Sequence, residues 1–357
     1  PDGLVAHELA HQWFGDLVTC QDWSQGWLNE SWATFLETQW WEADREESEA
    51  TWYRYSQARR YWSEGAGRYR RPIVSYRFKE PIDVFDRHLY EKGSCVLSTL
   101  RFELGDAAFW SGVQHYLNQN GHDTVHTRHF QRSMEAQSGR NLDGFFDQWI
   151  YSAGHPVLTV NFSHKNGLLL ARVKQMQTGN DVPRVFHFKL LMEVVTVSGE
   201  VQSVSLPVDS RERTFALPIS GAIQTVRVDP GFQVLADISI KAPLKWLEYL
   251  VGDPCPVVAD RAGKALLKMD GVKPFRVVGE ALNAHTSCRV RASLADRIAK
   301  RGGDDAKTLL INAVETESDP RVLLAIVGGL SKYRTEDVLE VFIRLLDDKG
   351  LTHQLTA

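Results

Sequence analysis

The sequence has few cysteines, no long apolar run and no strong excess of charge. The four cysteines are Cys20, Cys95, Cys255 and Cys288. Their spacing matches neither a zinc knuckle nor a disulfide framework. We therefore expect buried thiols, which favours a reducing compartment and hence the cytoplasm. The longest apolar runs, such as residues 322–330, are far shorter than the roughly 20 residues that cross a bilayer, so no membrane span is predicted.

Net charge and chain length limit the binding partners and the number of domains to expect. The 41 basic and 45 acidic side chains give a net charge of −4, so there is no general attraction toward nucleic acid or an anionic membrane. A chain of 357 residues is too long for one hydrophobic core, and two or three domains are expected. Residue 1 is a proline and the final stretch, LTHQLTA, has no obvious cap, so we expect a fragment of a longer protein at both ends.

The first two regions of the chain differ in sequence pattern. Nine of the eleven tryptophans precede residue 111, and residues 1–152 place apolar residues at three-to-four spacing, which predicts helices. Residues 153–242 contain six or seven short β-branched or alternating runs that are separated by turn residues. This second pattern predicts a small antiparallel β-sandwich.

The third region, residues 243–357, is predicted to be helical and carries an internal repeat. At a spacing of 32 residues Val258, Val290 and Val322 align, and further apolar positions follow in the same register. Such units resemble HEAT-like repeats, which stack because one helix pair cannot bury its own apolar face. The predicted fold class is therefore multidomain α+β, with a helical first domain, a β-sandwich and a helical repeat array that is truncated at its C-terminus.

The stretch VAHELAHQWF, residues 5–14, sets three titratable side chains among apolar neighbours. His7 and His11 are four residues apart, so a helix stacks their rings on one side, one turn apart. Two imidazole nitrogens can then reach one metal ion, and Glu8 beside them can face a water molecule on that metal. The pattern H-E-x-x-H is typical of zinc proteases, although five residues by themselves are only moderately specific.

A third metal ligand is predicted in the helix that follows. Glu30 lies nineteen positions after His11, at the start of the apolar segment NESWATFLETQW, and three protein ligands leave zinc the open position that a catalytic site requires. The alternative is an ordinary carboxylate that the helix dipole favours at an N-terminus. Glu37, on the same helical face, is expected to hydrogen-bond a ligating histidine, and Asn29 is expected either to brace these helices or to act as a cap.

Residues 1 to about 152 resemble the catalytic core of the gluzincin aminopeptidases, the aminopeptidase N family. The resemblance rests on HExxH, eighteen intervening residues and a glutamate, with HQWFGDLVT and WLNE between them. A second matching segment is LYEKGSCVL at residues 89–97. The later β-sandwich and helical array also fit the family, but their patterns are far less specific.

This resemblance implies a thermolysin-like catalytic domain that binds one zinc ion per chain. It implies that the zinc ligands are His7, His11 and Glu30. Glu8 would act as general base and then as general acid, and Tyr90 would donate a hydrogen bond to the tetrahedral intermediate. The alternative for Tyr90 is a packed surface aromatic.

The implied activity is removal of N-terminal residues from peptides with a free N-terminus, with no nucleic-acid or membrane partner. The family binds the substrate's amino group through a Gly-x-Met-Glu-Asn segment shortly upstream of HExxH, and a large β domain precedes that segment. Only six residues precede His7, so both are missing from this chain. Whether the fragment is active by itself is left open.

Two other functions compete with this interpretation. A non-catalytic aminopeptidase-like scaffold would keep the architecture and bind a protein partner through its helical repeats, but all three expected zinc ligands are present. Residues 51–72 interleave six arginines with six aromatic residues, as in proteins that bind single-stranded nucleic acid. More often such a run is a solvated helix face whose aromatic residues pack inward.

Several polar residues beside these motifs have no assigned role. Asp83, Asp86 and His88 either line the substrate pocket or cap a loop. Lys92 is expected to be a surface cation. Asp16, like Asn29, either braces the helices of the site or is an ordinary cap.

Overall fold

A computed structural model describes residues 2–65, 69–165 and 167–347 of the chain. Helices, then strands, then helices again follow one another, which confirms the predicted multidomain α+β class. The exact boundaries between the three predicted domains stay predictions. Among the described residues, none of the helices combines the length and the apolar composition needed to cross a membrane.

The first region is mainly helical and contains one short pair of parallel strands, β1 and β2. A turn of π-helix, His88–Lys92, stands immediately before its fourth helix. The elements are α1 Asp2–Ala10, β1 Val18–Cys20, α2 Trp27–Asp44, α3 Glu47–Gly65, α4 Gly93–Leu104, α5 Asp106–Asn120, β2 Asp123–Val125, α6 Thr127–Ser138 and α7 Asp143–Trp149.

Aromatic side chains form the core of this first region. α2 carries Trp27, Trp32 and Phe35 at helical spacing, and all three are buried. The Trp32 ring stacks on Phe14 with their centroids 4.3 Å apart, and it meets Phe130 edge-on at 5.4 Å. Because Phe14 follows α1 directly, this packing holds the end of α1 against α2.

The middle region contains two sheets, in the strand orders β7-β4-β3-β9 and β6-β5-β8. Buried residues alternate along β4, as expected for a strand with one face toward a core. One pairing departs from the antiparallel pattern, because β3 and β9 run parallel. The strands are β3 Val157–Lys165, β4 Leu168–Gln175, β5 Phe188–Thr196, β6 Val201–Val208, β7 Glu212–Pro218, β8 Ile223–Val228 and β9 Asp237–Lys241.

The last region is an array of helix pairs. The first helices of three successive pairs begin at residues 256, 288 and 320, and the second helices begin at 272, 304 and 336, so both series advance by 32 residues. The helices are α8 Leu244–Leu250, α9 Pro256–Leu266, α10 Val272–Ala284, α11 Cys288–Arg301, α12 Asp304–Val314, α13 Pro320–Leu330 and α14 Glu336–Asp347. The predicted repeat region extends to residue 357, and its residues 348–357 lie outside the described residues.

A buried carboxylate joins this array to α3 of the first region. Asp260 on α9 is fully buried and accepts hydrogen bonds from the Tyr55 hydroxyl at 2.7 Å and the Ser293 hydroxyl at 2.6 Å. Arg297 on α11 donates to both of its oxygens, at 2.8 and 2.6 Å. Burial alone would raise the pKa of Asp260, but the charge of Arg297 outweighs it and holds that pKa well below its usual range.

We expect Asp260→Asn to destabilise the chain by about 3–5 kcal/mol, because the change leaves the Arg297 guanidinium without its buried countercharge. The matched control is Asp305→Asn, which removes an exposed ion pair with Arg301 and should cost about 0.5 kcal/mol or less. Urea unfolding followed by circular dichroism measures both. Equal effects of the two substitutions would contradict the role given to Asp260.

Candidate active site

The C-terminal end of α1 faces the N-terminal end of α2. This junction brings the three predicted metal ligands together. The Nε2 atoms of His7 and His11 lie 3.4 and 3.5 Å from Oε2 of Glu30. α1 ends at Ala10, yet the backbone N–H of His11 still donates to the carbonyl of His7 at 3.3 Å, so the helical turn extends to His11. The three candidate ligand atoms all lie within 4.8 Å of one another.

The outer nitrogen of each imidazole has a hydrogen-bond partner of its own. Nδ1 of His7 lies 2.6 Å from Oε1 of Glu37, and Nδ1 of His11 lies 2.9 Å from the backbone carbonyl of Phe14. A carbonyl can only accept, so Nδ1 of His11 carries a proton, and in the neutral ring Nε2 is the nitrogen with the free lone pair. Two imidazole nitrogens with such outer partners and one carboxylate form a donor set that fits zinc.

The closeness of His7, His11 and Glu30 shifts the pKa of all three side chains. Burial opposes a charge on His7, but hydrogen bonds to Glu30 and Glu37 outweigh it and raise its pKa to about 9. Burial also opposes a charge on Glu30, yet both histidines together lower its pKa to about 2. The hydrogen bond to Glu30 likewise raises the pKa of His11. Without a metal, a protonated imidazole therefore supplies the positive charge that Glu30 requires.

Of the two residues expected to support the ligands, the structure brings one to a histidine. Glu37 contacts His7, and its other oxygen accepts a hydrogen bond from the Tyr53 hydroxyl of α3. Asn29 instead accepts from the backbone N–H of Cys20 at 3.2 Å and so ties α2 to β1. Asp16 is exposed and accepts from the Gln12 side chain rather than from a ligand. The support for His7 thus comes from Glu37, which lies seven residues after Glu30, two turns further along α2.

Glu8 and Tyr90 line one pocket of about 620 Å³ together with His7. Glu8 is exposed on α1, and the Tyr90 ring lies 6.2 Å from the His7 ring, centroid to centroid. Burial raises the pKa of Tyr90 well above its usual value, and the negative charge of Glu30 adds to the rise. Tyr90 therefore keeps its proton at neutral pH and can donate a hydrogen bond into the pocket.

Tyr90 is positioned by the π-helical turn that carries it. Ser31, the neighbour of Glu30 on α2, donates a hydrogen bond to the carbonyl of Leu89 at 2.5 Å. Gly93 follows the turn, and a Cβ at that position would lie 1.8 Å from the Ser31 hydroxyl oxygen. Because only glycine permits this approach, α2 holds both Glu30 and the turn that bears Tyr90. The sequence signal for this contact is the glycine that follows Lys92.

The expectation that Lys92 is a surface cation is wrong. Its side chain is fully buried, and its amine donates to the backbone carbonyl of Ser152 at 3.1 Å and lies over the Tyr61 ring. Burial lowers its pKa to about 7. The π-helical turn directs residue 92 inward, a consequence that helical periodicity alone does not predict.

The polar residues just before Tyr90 brace the chain. Asp86 pairs with the Arg71 guanidinium at 2.7 and 2.8 Å and accepts from the Tyr69 hydroxyl at 2.6 Å. His88 is fully buried, with Nδ1 3.3 Å from carboxylate oxygens of both Glu64 and Asp86. Although three possible ligands meet here, the Arg71 charge already neutralises Asp86 and opposes a cation. Asp83 is exposed and accepts from backbone N–H groups, so it caps a loop.

The described part of the arginine- and aromatic-rich segment 51–72 packs inward. Trp52, Tyr55 and Tyr61 are buried, so these rings are not available to stack on bases. Arg54 is paired with a glutamate of α2. The segment forms most of α3 and faces the candidate site on one side and the helical array on the other.

Comparison with known proteins agrees with this fold. Residues 2–149 match the model of the Peptidase family M1 domain, and residues 275–352 match the model of HEAT repeats. The chain is 29% identical over 237 residues to the probable aminopeptidase 1 of Sulfurisphaera tokodaii, an alignment that covers 63% of this chain and 28% of the relative. It is 32% identical over 182 residues to the alanine/arginine aminopeptidase of Saccharomyces cerevisiae, covering 50% of this chain and 21% of the relative.

A solved structure shares the fold. The aminopeptidase A of Legionella pneumophila, determined in complex with aspartic acid, superimposes with a TM-score of 0.71 at 18% identity. The match covers 98% of this chain and 46% of that protein. This chain therefore spans about half of that structure and about a quarter of the first curated relatives it matches.

Helices that bear a histidine pair and a glutamate, followed by a sheet region and helical repeats, match the arrangement expected of a metallopeptidase of the α+β class. Residues 2–149 are similar to the domain of peptidase family M1. The resemblance and the enzyme class predicted from the sequence are thereby confirmed, as are the HEAT repeats.

We expect zinc binding to release about one proton or more near pH 7.5, because His7 must lose the proton that its raised pKa retains. The zinc affinity should therefore rise with pH from about 6.5 to about 9. In the metal-free chain, the stabilisation from protonated His7 is complete below about pH 6.5 and disappears as the pH passes about 9. Calorimetry in two buffers of different ionisation enthalpy counts the released protons.

Glu37→Gln should reduce this proton release, because it removes one of the two carboxylates that raise the His7 pKa. Glu280→Gln, on the exposed face of α10, is the control and should leave the proton count unchanged. A zinc affinity that does not vary with pH would contradict the assignment of His7.

Proposed function

We propose that this chain carries the catalytic centre of a zinc-dependent aminopeptidase, which hydrolyses N-terminal residues from peptides with a free N-terminus. The observation that carries the proposal is the junction of α1 and α2, where His7, His11 and Glu30 meet beside Glu8 and Tyr90. The match to the family M1 domain supports this reaction class. So do the two relatives described above, which are both named aminopeptidases.

One zinc ion per chain would be held by His7, His11 and Glu30. When bound, zinc supplies Lewis-acid chemistry: it polarises a carbonyl and makes water a stronger acid. Glu37 keeps the His7 ring in orientation through its hydrogen bond to Nδ1, and the Phe14 carbonyl does the same for His11. The residues themselves thus hold both imidazoles with Nε2 directed toward Glu30.

Glu8 is the proposed general base and acid. It is exposed to the pocket, next in sequence to a ligand, and free of the structural contacts that occupy Glu37. Its carboxylate accepts a proton from the attacking water as the C–O bond forms. The carboxylic acid then returns that proton to the nitrogen of the leaving amine as the C–N bond breaks.

Tyr90 is the proposed oxyanion donor. Its hydroxyl keeps its proton at neutral pH because burial and nearby carboxylates raise its pKa. It can therefore donate a hydrogen bond to the oxygen that becomes negative when water adds to the carbonyl. The π-helical turn and Gly93 fix its backbone against α2, so little reorganisation is needed during the reaction.

The competing hypothesis is a non-catalytic scaffold whose helical repeats bind a protein partner. A relative of this chain, 32% identical over 166 residues, carries the name tricorn protease-interacting factor F2, from Thermoplasma volcanium. The complete set of ligand, base and oxyanion groups favours catalysis. A protein partner on the repeats is compatible with either function.

Two substitutions separate chemistry from metal binding. Glu8→Gln should reduce hydrolysis of an aminoacyl-arylamide by roughly a hundredfold or more while zinc stays bound, because it removes the proton acceptor alone. Glu30→Gln should weaken zinc binding itself, because it removes a charged ligand. Zinc content by mass spectrometry and initial rates measure both, with Glu280→Gln as the control. Full activity of Glu8→Gln would refute its role.

The same assays, applied to a chain extended at its N-terminus, test whether the amino-group anchor lies upstream. If both chains bind about one zinc and only the extended chain turns over substrate, the anchor is in the added segment. If neither chain binds zinc, the scaffold hypothesis replaces the proposal.

Tyr90→Phe should lower kcat by roughly a hundredfold and change KM little, because the lost hydrogen bond forms mainly in the transition state. Tyr249→Phe, a half-exposed tyrosine on α8, is the matched control and should match the unsubstituted chain. Steady-state kinetics with an arylamide substrate give both constants. A Tyr90→Phe variant that changes KM alone would assign Tyr90 to ground-state binding instead.

A further inference from the structure

One face of α3 forms a wall of the pocket that holds Glu8 and Tyr90. The residues on this wall are Tyr53, Gln57, Arg60 and Glu64. Their spacing of four, three and four residues places them in one row along the helix. These side chains thus line the pocket, hereafter the cleft, along about three turns of α3, and they are available to contact a substrate that lies along the helix.

Most charged groups that line this cleft already have a structural partner. Arg87 forms an ion pair with Glu91. Glu64 accepts a hydrogen bond from the backbone N–H of Arg87 at 3.1 Å. Asp86 is neutralised by Arg71. These groups support the walls of the cleft and have little capacity left for a ligand.

Arg60 differs from them. Within residues 2–65, 69–165 and 167–347 it has neither an ion pair nor a side-chain hydrogen bond, and its side chain is exposed. Burial raises the pKa of Tyr53 and of Glu91, and the Arg60 charge counteracts both rises, so the guanidinium lies near both walls of the cleft. A guanidinium without a direct ion-pair partner among the described residues therefore faces the space where a substrate would lie.

The position of Arg60 along α3 gives its distance from the proposed metal centre. Tyr53 lies at the metal end, because its hydroxyl contacts Glu37, which contacts His7. Arg60 is seven residues further, about 10 Å along the helix axis. An extended peptide advances about 3.3 Å per residue, so Arg60 is level with a peptide residue two or three positions beyond the metal end.

The charge of Arg60 also orients the peptide. The N-terminal ammonium of a substrate would be repelled by the guanidinium, so it belongs at the opposite end of the cleft. The part of the peptide after the scissile bond then extends toward Arg60. A guanidinium offers paired N–H donors whose geometry matches a carboxylate.

We propose that Arg60 binds a carboxylate of the peptide two or three residues after the scissile bond and so determines substrate preference. This inference rests on the proposed aminopeptidase function. The carboxylate comes either from the C-terminus of a short peptide or from an acidic side chain of a longer one. In the first case Arg60 selects for length, and in the second it selects for sequence.

Three matched peptides distinguish the two sources. They are tetra-alanine with a free C-terminus, its C-terminal amide, and the same amide with aspartate at position 4. In the unsubstituted chain, kcat/KM should be roughly tenfold higher for the free acid than for the amide, mainly through KM. The aspartate-containing amide regains this advantage if a side-chain carboxylate is also accepted.

Arg60→Gln should abolish the preference for the acid over the amide, and Arg60→Lys should retain part of the preference. Arg276→Gln, an exposed arginine on α10, removes the same charge far from the cleft and should keep the full preference. Equal rates for acid and amide in the unsubstituted chain would overturn the inference. So would a preference that persists in Arg60→Gln.

A binding measurement separates failure of this inference from failure of the proposed function. The zinc-loaded Glu8→Gln variant is titrated with the acid and the amide by calorimetry, with and without Arg60→Gln. Roughly tenfold tighter binding of the acid that Arg60→Gln removes supports the inference even if no peptide is hydrolysed. Equal dissociation constants for acid and amide, or no binding of either, overturn it.

Discussion

Two imidazole rings and a carboxylate share a half-buried space between α1 and α2, and the rest of the first region is arranged around that contact. Burying the Glu30 carboxylate in this space costs free energy unless a positive charge balances it. In the metal-free chain that charge is a proton on His7, whose pKa rises to about 9. A divalent cation satisfies the same requirement with two nitrogen ligands and one oxygen ligand. The electrostatics at the junction of α1 and α2 are therefore those that a divalent cation requires.

α2 also contacts the elements that carry the other residues of the candidate site. Its buried aromatic face packs against the end of α1, and its next turns present Glu30, Ser31 and Glu37 in sequence. Ser31 holds the π-helical turn of Tyr90, and Glu37 links His7 to Tyr53 on α3. The buried carboxylate of the α9 helix in turn fixes α3 through Tyr55. The helical repeats thereby support the wall of the cleft that carries Arg60.

Local spacing was enough to predict part of this site. The separation of four between His7 and His11, and the seven residues from Glu30 to Glu37, are helical intervals, so the helix itself brings these side chains to one face. Contacts between distant segments could not be predicted in this way. The inward direction of Lys92 depends on a π-helical turn, and the availability of Arg60 depends on what every neighbouring charge already contacts. The parallel pairing of β3 with β9 joins strands almost eighty residues apart, which alternation alone does not specify.

The most direct test of this account is zinc K-edge X-ray absorption on the chain loaded with one equivalent of zinc. The account predicts two imidazole nitrogens at about 2.0–2.1 Å and oxygen ligands, with the imidazole signal reduced in His7→Ala. Sulfur in the coordination sphere would contradict it by placing the metal at a cysteine. An unchanged spectrum in His7→Ala would contradict it by placing the metal elsewhere, such as beside His88.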